Sequence, residues 1–459
     1  MKRLSIISSV ALAALLAVTA CEKGYELEVS GSTAKYMTAQ NAIISLRNET
    51  GKAYFTNVEM RNDEEVVNVT GKLLGSVPVG ADATLAFGDA SMVESYNKNY
   101  GTTYEMFPLE NASLSAQELI FTMGESESDE SVEVTLRAQG LRPDVTYMLP
   151  LVTATRSKGA VAGEPMYLLV KDYRSIPDNN KGVKIFHCVE SDDHHLLDLL
   201  AFRLQKTNQY LIDVQIIFTS GGDVKFDAST GEIRMPSNRG TIGHLSRQKE
   251  ILDEARKRGV KTICTITTNG INQLETSTAK VFARKLADFV YAQGLDGLFF
   301  DTEYSGYEQR PGISGSSTDK MARFLLELKR AMPDKMVVVY LYGALSGLRN
   351  VSQSDGVPLK DFVDYGLNDY GASIVPSALG NERVGVYSDN FSSGYKRICC
   401  NNESTCRTAG NYGAHMFYCL NASQYNSDSQ TRQCLDNIAK IWYNDKIVYE
   451  PLDNVHIDW

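Results

Sequence analysis

The sequence predicts an α/β protein: a (β/α)8 TIM barrel preceded by a small all-β sandwich. Three observations predict it. Residues 25–172 alternate apolar and polar side chains between Gly, Pro, Asn and Asp, and little of the stretch keeps a helical period. From residue 183 onward, short β-rich apolar runs alternate with amphipathic helical stretches. Eight such runs fall within about 275 residues, the size and order of a barrel. A doubly wound open sheet is the alternative. It calls for a Gly-rich turn after its first strand, and "CVESDDHH" (188–195) is not one.

The chain opens with Lys2 and Arg3, followed by an apolar run from Leu4 to Ala20 that closes in Val18-Thr19-Ala20-Cys21. A basic start, an apolar centre and small residues at the end make a signal peptide, so residues 1–20 are expected to be removed. The Cys directly after them resembles a bacterial lipobox. That resemblance implies lipidation of Cys21 and a membrane tether at the outer membrane or cell surface. No other run approaches the roughly 18 apolar residues of a bilayer-spanning helix. Lys and Arg number 46 against 56 Asp and Glu, a net charge of −10. Such a chain is a poor match for a phosphate backbone, so no nucleic acid partner is expected and a neutral ligand fits better.

In the sandwich, "VEVTLRAQG" (132–140) and "TYMLPLVTAT" (146–155) read as strands, and "SMVESYNKNYG" (91–101) as a helix. The size is that of an immunoglobulin-like domain. No cluster of acids, His or Cys marks a site in it, which leaves a spacer, a carbohydrate-binding module or a plain folding domain. Residues 173–182, within "DYRSIPDNNKG" (172–182), read as a linker.

The eight barrel runs are "GVKIFHCVE" (182–190), "QYLIDVQIIFTS" (209–220), "GVKTICTITT" (259–268), "LDGLFFDTEYSGY" (295–307), "KMVVVYLYG" (335–343), "DFVDYGLNDYG" (361–371), "ERVGVYS" (382–388) and "YGAHMFYCL" (412–420). Between them, residues 246–259 start on Ser and end on Gly as helix caps do. Residues 277–294 place Phe282, Leu286, Phe289 and Val290 on one stripe. Residues 317–333 do the same with Met321, Phe324, Leu325, Leu328 and Met332, and Pro333 ends the run.

Parity along the fourth run points to the chemistry. Phe299, Asp301 and Glu303 share one face, and Leu298, Phe300 and Thr302 share the other. Acids buried under a helix without partners would cost several kcal/mol, so Asp301 and Glu303 are expected to point inward at the C-terminal end of the strand, where barrel enzymes keep their active sites. Their backbones lie roughly 6–7 Å apart, and one proton held between two carboxylates suits a general acid. Phe218, Asn269, Tyr304, Tyr307 and Tyr342 lie at or just beyond strand ends, where a sugar could meet them. The run Asp192-Asp193-His194-His195 reads as a polar loop and helix start, with a metal cluster as the rarer reading.

"DGLFFDTE" (296–303) resembles the D-G-x-D-x-D-x-E signature of glycoside hydrolase family 18, with Phe299 replacing the middle Asp. The surrounding text is more similar to the endo-β-N-acetylglucosaminidases of the H and F types than to chitinases. "IIFTSGGDVKFD" (216–227), "MPDKMVVVYLYG" (332–343) and Asn368-Asp369-Tyr370 carry the same resemblance, which spans most of residues 183–459. It implies a substrate-assisted, retaining hydrolysis of N-glycans without a cofactor. Glu303 would be the general acid, Asp301 would hold the substrate acetamido group, Tyr370 would bond its carbonyl, and Asn368 would align it. The sandwich resembles those preceding such domains in surface lipoproteins of gut Bacteroidota. A chitinase-like enzyme is disfavoured by Phe299 and by a strand eight without Trp. A non-catalytic glycan binder on the same barrel is disfavoured by the presence of Asp301, Glu303 and Tyr370 together.

Seven cysteines follow Cys21, an odd number. Cys188, Cys264 and Cys419 sit in apolar runs as core residues, and Cys399 or Cys400 could pair with Cys406 in an oxidising compartment. No CxxC pair is present, so no metal site is expected from spacing.

Overall fold

The computed structural model describes residues 42–75, 80–218, 225–227, 230–234, 238–267, 270–302, 311–368, 375–392, 397–452, 455 and 457. Residues 42–172 form two sheets over one core. The first is ordered Ala160–Ala162, Ala42–Asn48, Glu64–Leu74, Val132–Arg137 and Ala112–Leu114. The second is ordered Phe55–Met60, Met166–Asp172, Thr146–Thr155, Ala81–Phe87 and Glu118–Phe121. Ile44, Val69 and Val134 from one sheet meet Leu85, Leu149 and Leu168 from the other in a single apolar cluster. The expected helix forms over Ala90–Tyr100. Asp89 caps its start by accepting from the Ser91 N–H, and Gly101 ends it in the left-handed region at φ 72°.

The second half is a mixed α/β arrangement on a curled parallel sheet. Lys184–Glu190, Val214–Phe218, Lys261–Ile266, Gly297–Phe300, Met336–Tyr340, Tyr365–Leu367 and Val384–Gly385 pair in that order, all parallel. Ser388–Asn390 pairs with Ala414–Tyr418, which pairs back onto Lys184–Glu190. Each of the eight expected runs therefore contains a strand. The sheet is concave: Phe186, Val214, Ile263, Phe299, Val338, Leu367 and Ala414 come from seven different strands yet share one cluster. The opposite face, with Leu298, Phe300, Val337 and Val339, packs under the helices Thr276–Ala292 and Thr318–Ala331. Phe282, Leu286 and Val290 are buried as the stripe requires, while Phe289 is half-buried.

One helix differs from expectation. The stretch 246–259 is helical only over Leu252–Lys257, and a separate helix covers Arg239–Ser246. Tertiary packing explains the second: Gly240 lies so close to the chain at Ser191 that a Cβ there would stand 2.0 Å from the Ser191 carbonyl oxygen. Asn238 caps that helix by accepting from the Thr241 N–H at 2.9 Å.

The sandwich is joined to the N-terminal ends of the parallel strands by buried polar groups. Asp361 accepts from the backbone N–H groups of Ala53 and Tyr54 at 2.8 and 3.1 Å. Asp364 lies 2.8 Å from Lys329 and 3.4 Å from Lys52. Asp334 lies 2.6 Å from Lys171, and Lys261 is 2.7 Å from Glu59. The Tyr96 hydroxyl donates to the Arg330 carbonyl at 2.7 Å. Within residues 173–182, Asn179 is buried and donates to the Ile212 carbonyl at 3.1 Å, and Lys181 lies 2.7 Å from Asp213. These contacts lie at the N-terminal ends of the strands, opposite the ends at which Asp301 and Asn368 stand.

Candidate active site

The inward face fixes what stands at the C-terminal ends of the strands. Phe299 is 1% exposed within the interior cluster, so the two-residue period carries Asp301 to the same side. The Asp301 N–H donates to the Ile266 carbonyl at 3.1 Å, which anchors it beside the third strand. Burial, and next the charge of Asp301, hold the Cys188 thiol well above its usual range, as an inward carboxylate demands.

Local sequence builds this strand end. Gly297 begins the strand at φ 155°, and a Cβ there would stand 2.2 Å from the Met336 carbonyl oxygen, so the neighbouring strand admits only glycine. Asp296 ties down the other end: it accepts from the Thr262 N–H at 2.9 Å and lies 3.4 Å from Arg256. Burial opposes its ionisation, but the charges of Arg256 and Lys335 prevail and its carboxyl sits below the usual range. The first Asp of "DGLFFDTE" is thus an anchor at the opposite end of the strand from Asp301.

Asn368 follows the sixth strand and is buried. Its Nδ2 donates to the Gly385 carbonyl at 3.0 Å and its backbone N–H donates to the same oxygen at 2.8 Å. Phe218 ends the second strand, is 6% exposed, and meets Tyr418 edge-on at 5.0 Å between ring centres. Tyr342 is 42% exposed and stacks on Tyr340 at 5.6 Å. Glu303, Tyr304, Tyr307, Asn269 and Tyr370 lie outside the described residues, and so does Cys21.

Three residues at this face escaped the sequence reading. Glu190 ends the first strand two residues after the interior Cys188, Tyr340 follows Val338, and Tyr418 follows Met416. Applying to every strand the parity used for the fourth would have found all three. Burial first, then the charges of Asp193 and Asp192, raise the Glu190 carboxyl above its ordinary value. The run 192–195 is engaged as loop and cap: Asp192 accepts from Asn238 at 2.6 Å and from the Gly240 N–H at 2.9 Å. His195 Nδ1 accepts from the Leu197 N–H at 3.2 Å. Among the described residues, this end of the sheet therefore brings together the carboxylates of Asp301 and Glu190 with the rings of Phe218, Tyr340 and Tyr418.

Residues 36–159 match a family model described as a "-like, N-terminal domain". Endo-β-N-acetylglucosaminidase F1 of Elizabethkingia meningoseptica is 30% identical over 275 residues, which cover 58% of this chain and 80% of that enzyme. EndoBT-3987 of Bacteroides thetaiotamicron, solved with a Man5GlcNAc product, superposes with a TM-score of 0.78 at 25% identity, over 89% of this chain and 97% of that one. The same protein with a Man9GlcNAc2Asn substrate gives a TM-score of 0.69 at 24% identity over the same shares. With most of the F1 enzyme matched, the chain belongs to the endo-β-N-acetylglucosaminidases of glycoside hydrolase family 18.

Proposed function

We propose that this protein hydrolyses the β-1,4 bond between the two core GlcNAc residues of high-mannose N-glycans. The observation that carries the reading is the 30% identity to endo-β-N-acetylglucosaminidase F1 across most of that enzyme. The likeness to EndoBT-3987, a protein solved with Man5GlcNAc, supports the high-mannose class.

In the proposed mechanism the substrate supplies its own nucleophile. Glu303 protonates the glycosidic oxygen while the 2-acetamido carbonyl closes on the anomeric carbon. Asp301, inward beside the third strand, holds the acetamido N–H and stabilises the positive charge that develops. Tyr370 donates to the attacking carbonyl, and Asn368, held by Gly385, keeps that side of the site in place. Glu303 then takes a proton from water as the ring opens. This is the exception to the two-carboxylate scheme, because one carboxylate assists and only the other transfers protons. No cofactor is called for. Phe218, Asn269, Tyr304 and Tyr342 complete the sugar-facing surface in this reading.

The proposal extends to the frame. A complete (β/α)8 barrel follows if residues 384–390 serve as one seventh strand. Its first part pairs with the sixth strand and its last part with the eighth, with only Val386 and Tyr387 between. Residues 25–172 would be the sandwich domain, 173–182 its link, and 183–459 the catalytic domain. Residues 1–20 would direct export and Cys21 would carry the lipid that anchors the protein at the outer membrane, beside other glycan-uptake proteins.

The test is digestion of ribonuclease B and of a complex-type glycoprotein, read by mass loss, with Glu303→Gln as the control. Release of high-mannose glycan by the wild type alone supports the proposal. Glycan binding without cleavage of either substrate would point instead to a binding protein.

A further inference from the structure

A second cluster of reactive side chains lies beneath the helices that cover the last two strands. Asp389 sits on Ser388–Asn390, His415 on Ala414–Tyr418, and Cys399 on the short helix Ile398–Asn401. All three are buried, at 0% exposure. One potential ligand atom from each lies within 4.8 Å of the other two. Cys434, on the helix Ser429–Trp442, is also fully buried, and burial, then the charge of Asp389, hold its thiol well above the usual range. His415 Nε2 is 2.8 Å from Asp389 Oδ2, while its Nδ1 is buried and has no hydrogen-bond partner. The Cys399 N–H donates to Asp389 Oδ1 at 3.2 Å.

An Asp–His pair alone would be an ordinary buried hydrogen bond, and two thiols alone would be ordinary core residues. Their convergence is different. A carboxylate, an imidazole and a thiol make a mixed donor set of the kind a borderline-soft divalent cation takes. We propose that Asp389, Cys399 and His415 form a structural zinc site, with Cys434 as the candidate fourth ligand. Donors on a zinc tetrahedron stand roughly 3.3–3.8 Å apart, given ligand bonds of about 2.0–2.3 Å. The donor atoms of Asp389, Cys399 and His415, within 4.8 Å of one another, need to close by about 1–1.5 Å, within reach of side-chain rotation. The carboxylate gains a cation in a place where burying an uncompensated charge is costly. All four residues belong to the segment 388–434, so the ion would clasp the seventh and eighth strands to the two helices that cover them. Trp442, edge-on to His415 at 5.0 Å, and the Cys406 thiol beside Cys399 close the site from water.

The test uses the whole protein, purified with reductant, stripped with a chelator and dialysed against limiting zinc. One zinc per chain by elemental mass spectrometry is expected, and cobalt in its place should show thiolate-to-metal charge transfer. Cys399→Ser, Cys434→Ser and His415→Gln should each weaken zinc retention by about tenfold or more, as loss of a ligand or its support does elsewhere. Cys264→Ala, a buried cysteine on another strand, should retain zinc fully. Chelation should lower the melting temperature of the wild type and not that of His415→Gln. Failure of the reduced wild type to bind zinc, equal retention by all four variants, or a Cys399–Cys406 disulfide in the isolated protein with no metal, would each overturn the site.

Discussion

The carboxylate of Asp334, just before the fifth parallel strand, lies 2.6 Å from the ammonium of Lys171 on the last strand of the sandwich. Asp334 is 1% exposed at its side chain and also accepts from the Tyr104 and Tyr291 hydroxyls at 2.7 and 2.5 Å. Burial opposes its ionisation, but Lys171 and Lys335 hold its carboxyl far below the usual range. Removing one member of such a pair strands the other. Asp334→Ala is expected to cost about 3–5 kcal/mol in urea denaturation. A double mutant with Lys171→Met should recover part of that loss. Equal stability of wild type and Asp334→Ala would show that the junction does not stabilise the fold.

Acid should loosen the same junction. For Glu59, burial works against the charged form, but Lys261 and then Arg61 outweigh it and bring its pKa to about 2. An unfolded Glu titrates near 4.3. A carboxyl depressed in the folded state contributes stability that is fully present above the unfolded value and is lost as pH falls through the folded one. Stability should therefore decline between about pH 4.5 and about pH 2, and Glu59→Gln should flatten part of that decline. Denaturation curves at a series of pH values read the slope directly.

Phe299 occupies the middle position of the acidic motif at 1% exposure, packed with Val338 and Ile263. Phe299→Ala should cost about 3–5 kcal/mol through the cavity it leaves. Phe299→Asp restores the motif letter but buries a carboxylate among apolar side chains, so it should be at least as destabilising. A Phe299→Asp variant as stable as the wild type would mean that the interior already holds water or a partner at that depth.

Asp301 and Glu303 separate by kinetics under the proposed mechanism. Asp301→Asn should lower kcat by about 10²–10³-fold with the melting temperature nearly unchanged, since it removes transition-state charge stabilisation. Glu303→Gln should lower it by about 10²–10⁴-fold as proton transfer is lost. A change confined to KM in either variant would assign it to binding.

Much of this was legible in the sequence. The inward direction of Asp301 follows from a backbone period of two, and the buried stripes of the helices 276–292 and 318–331 from one of 3.6. Both are local properties, fixed within a few residues by covalent geometry. The missed helix at Arg239–Ser246 was not local, because its position depends on Gly240 lying against Ser191, about fifty residues away along the chain. Glu190 and Tyr418 were legible but unread, since the same parity applied to the first and last strands would have marked them.

The sequence by itself determined the alternation of strands and helices, the acidic end of the fourth strand and the family resemblance that gives it meaning. Tertiary structure alone decided which charges meet. The residues Lys171 and Asp334, or Asp389, Cys399 and His415, share no spacing that a linear scan could detect. They come together because sheets and helices carry distant residues to common faces. Buried there, beyond the screening of water, a charge or a bare nitrogen must find a partner.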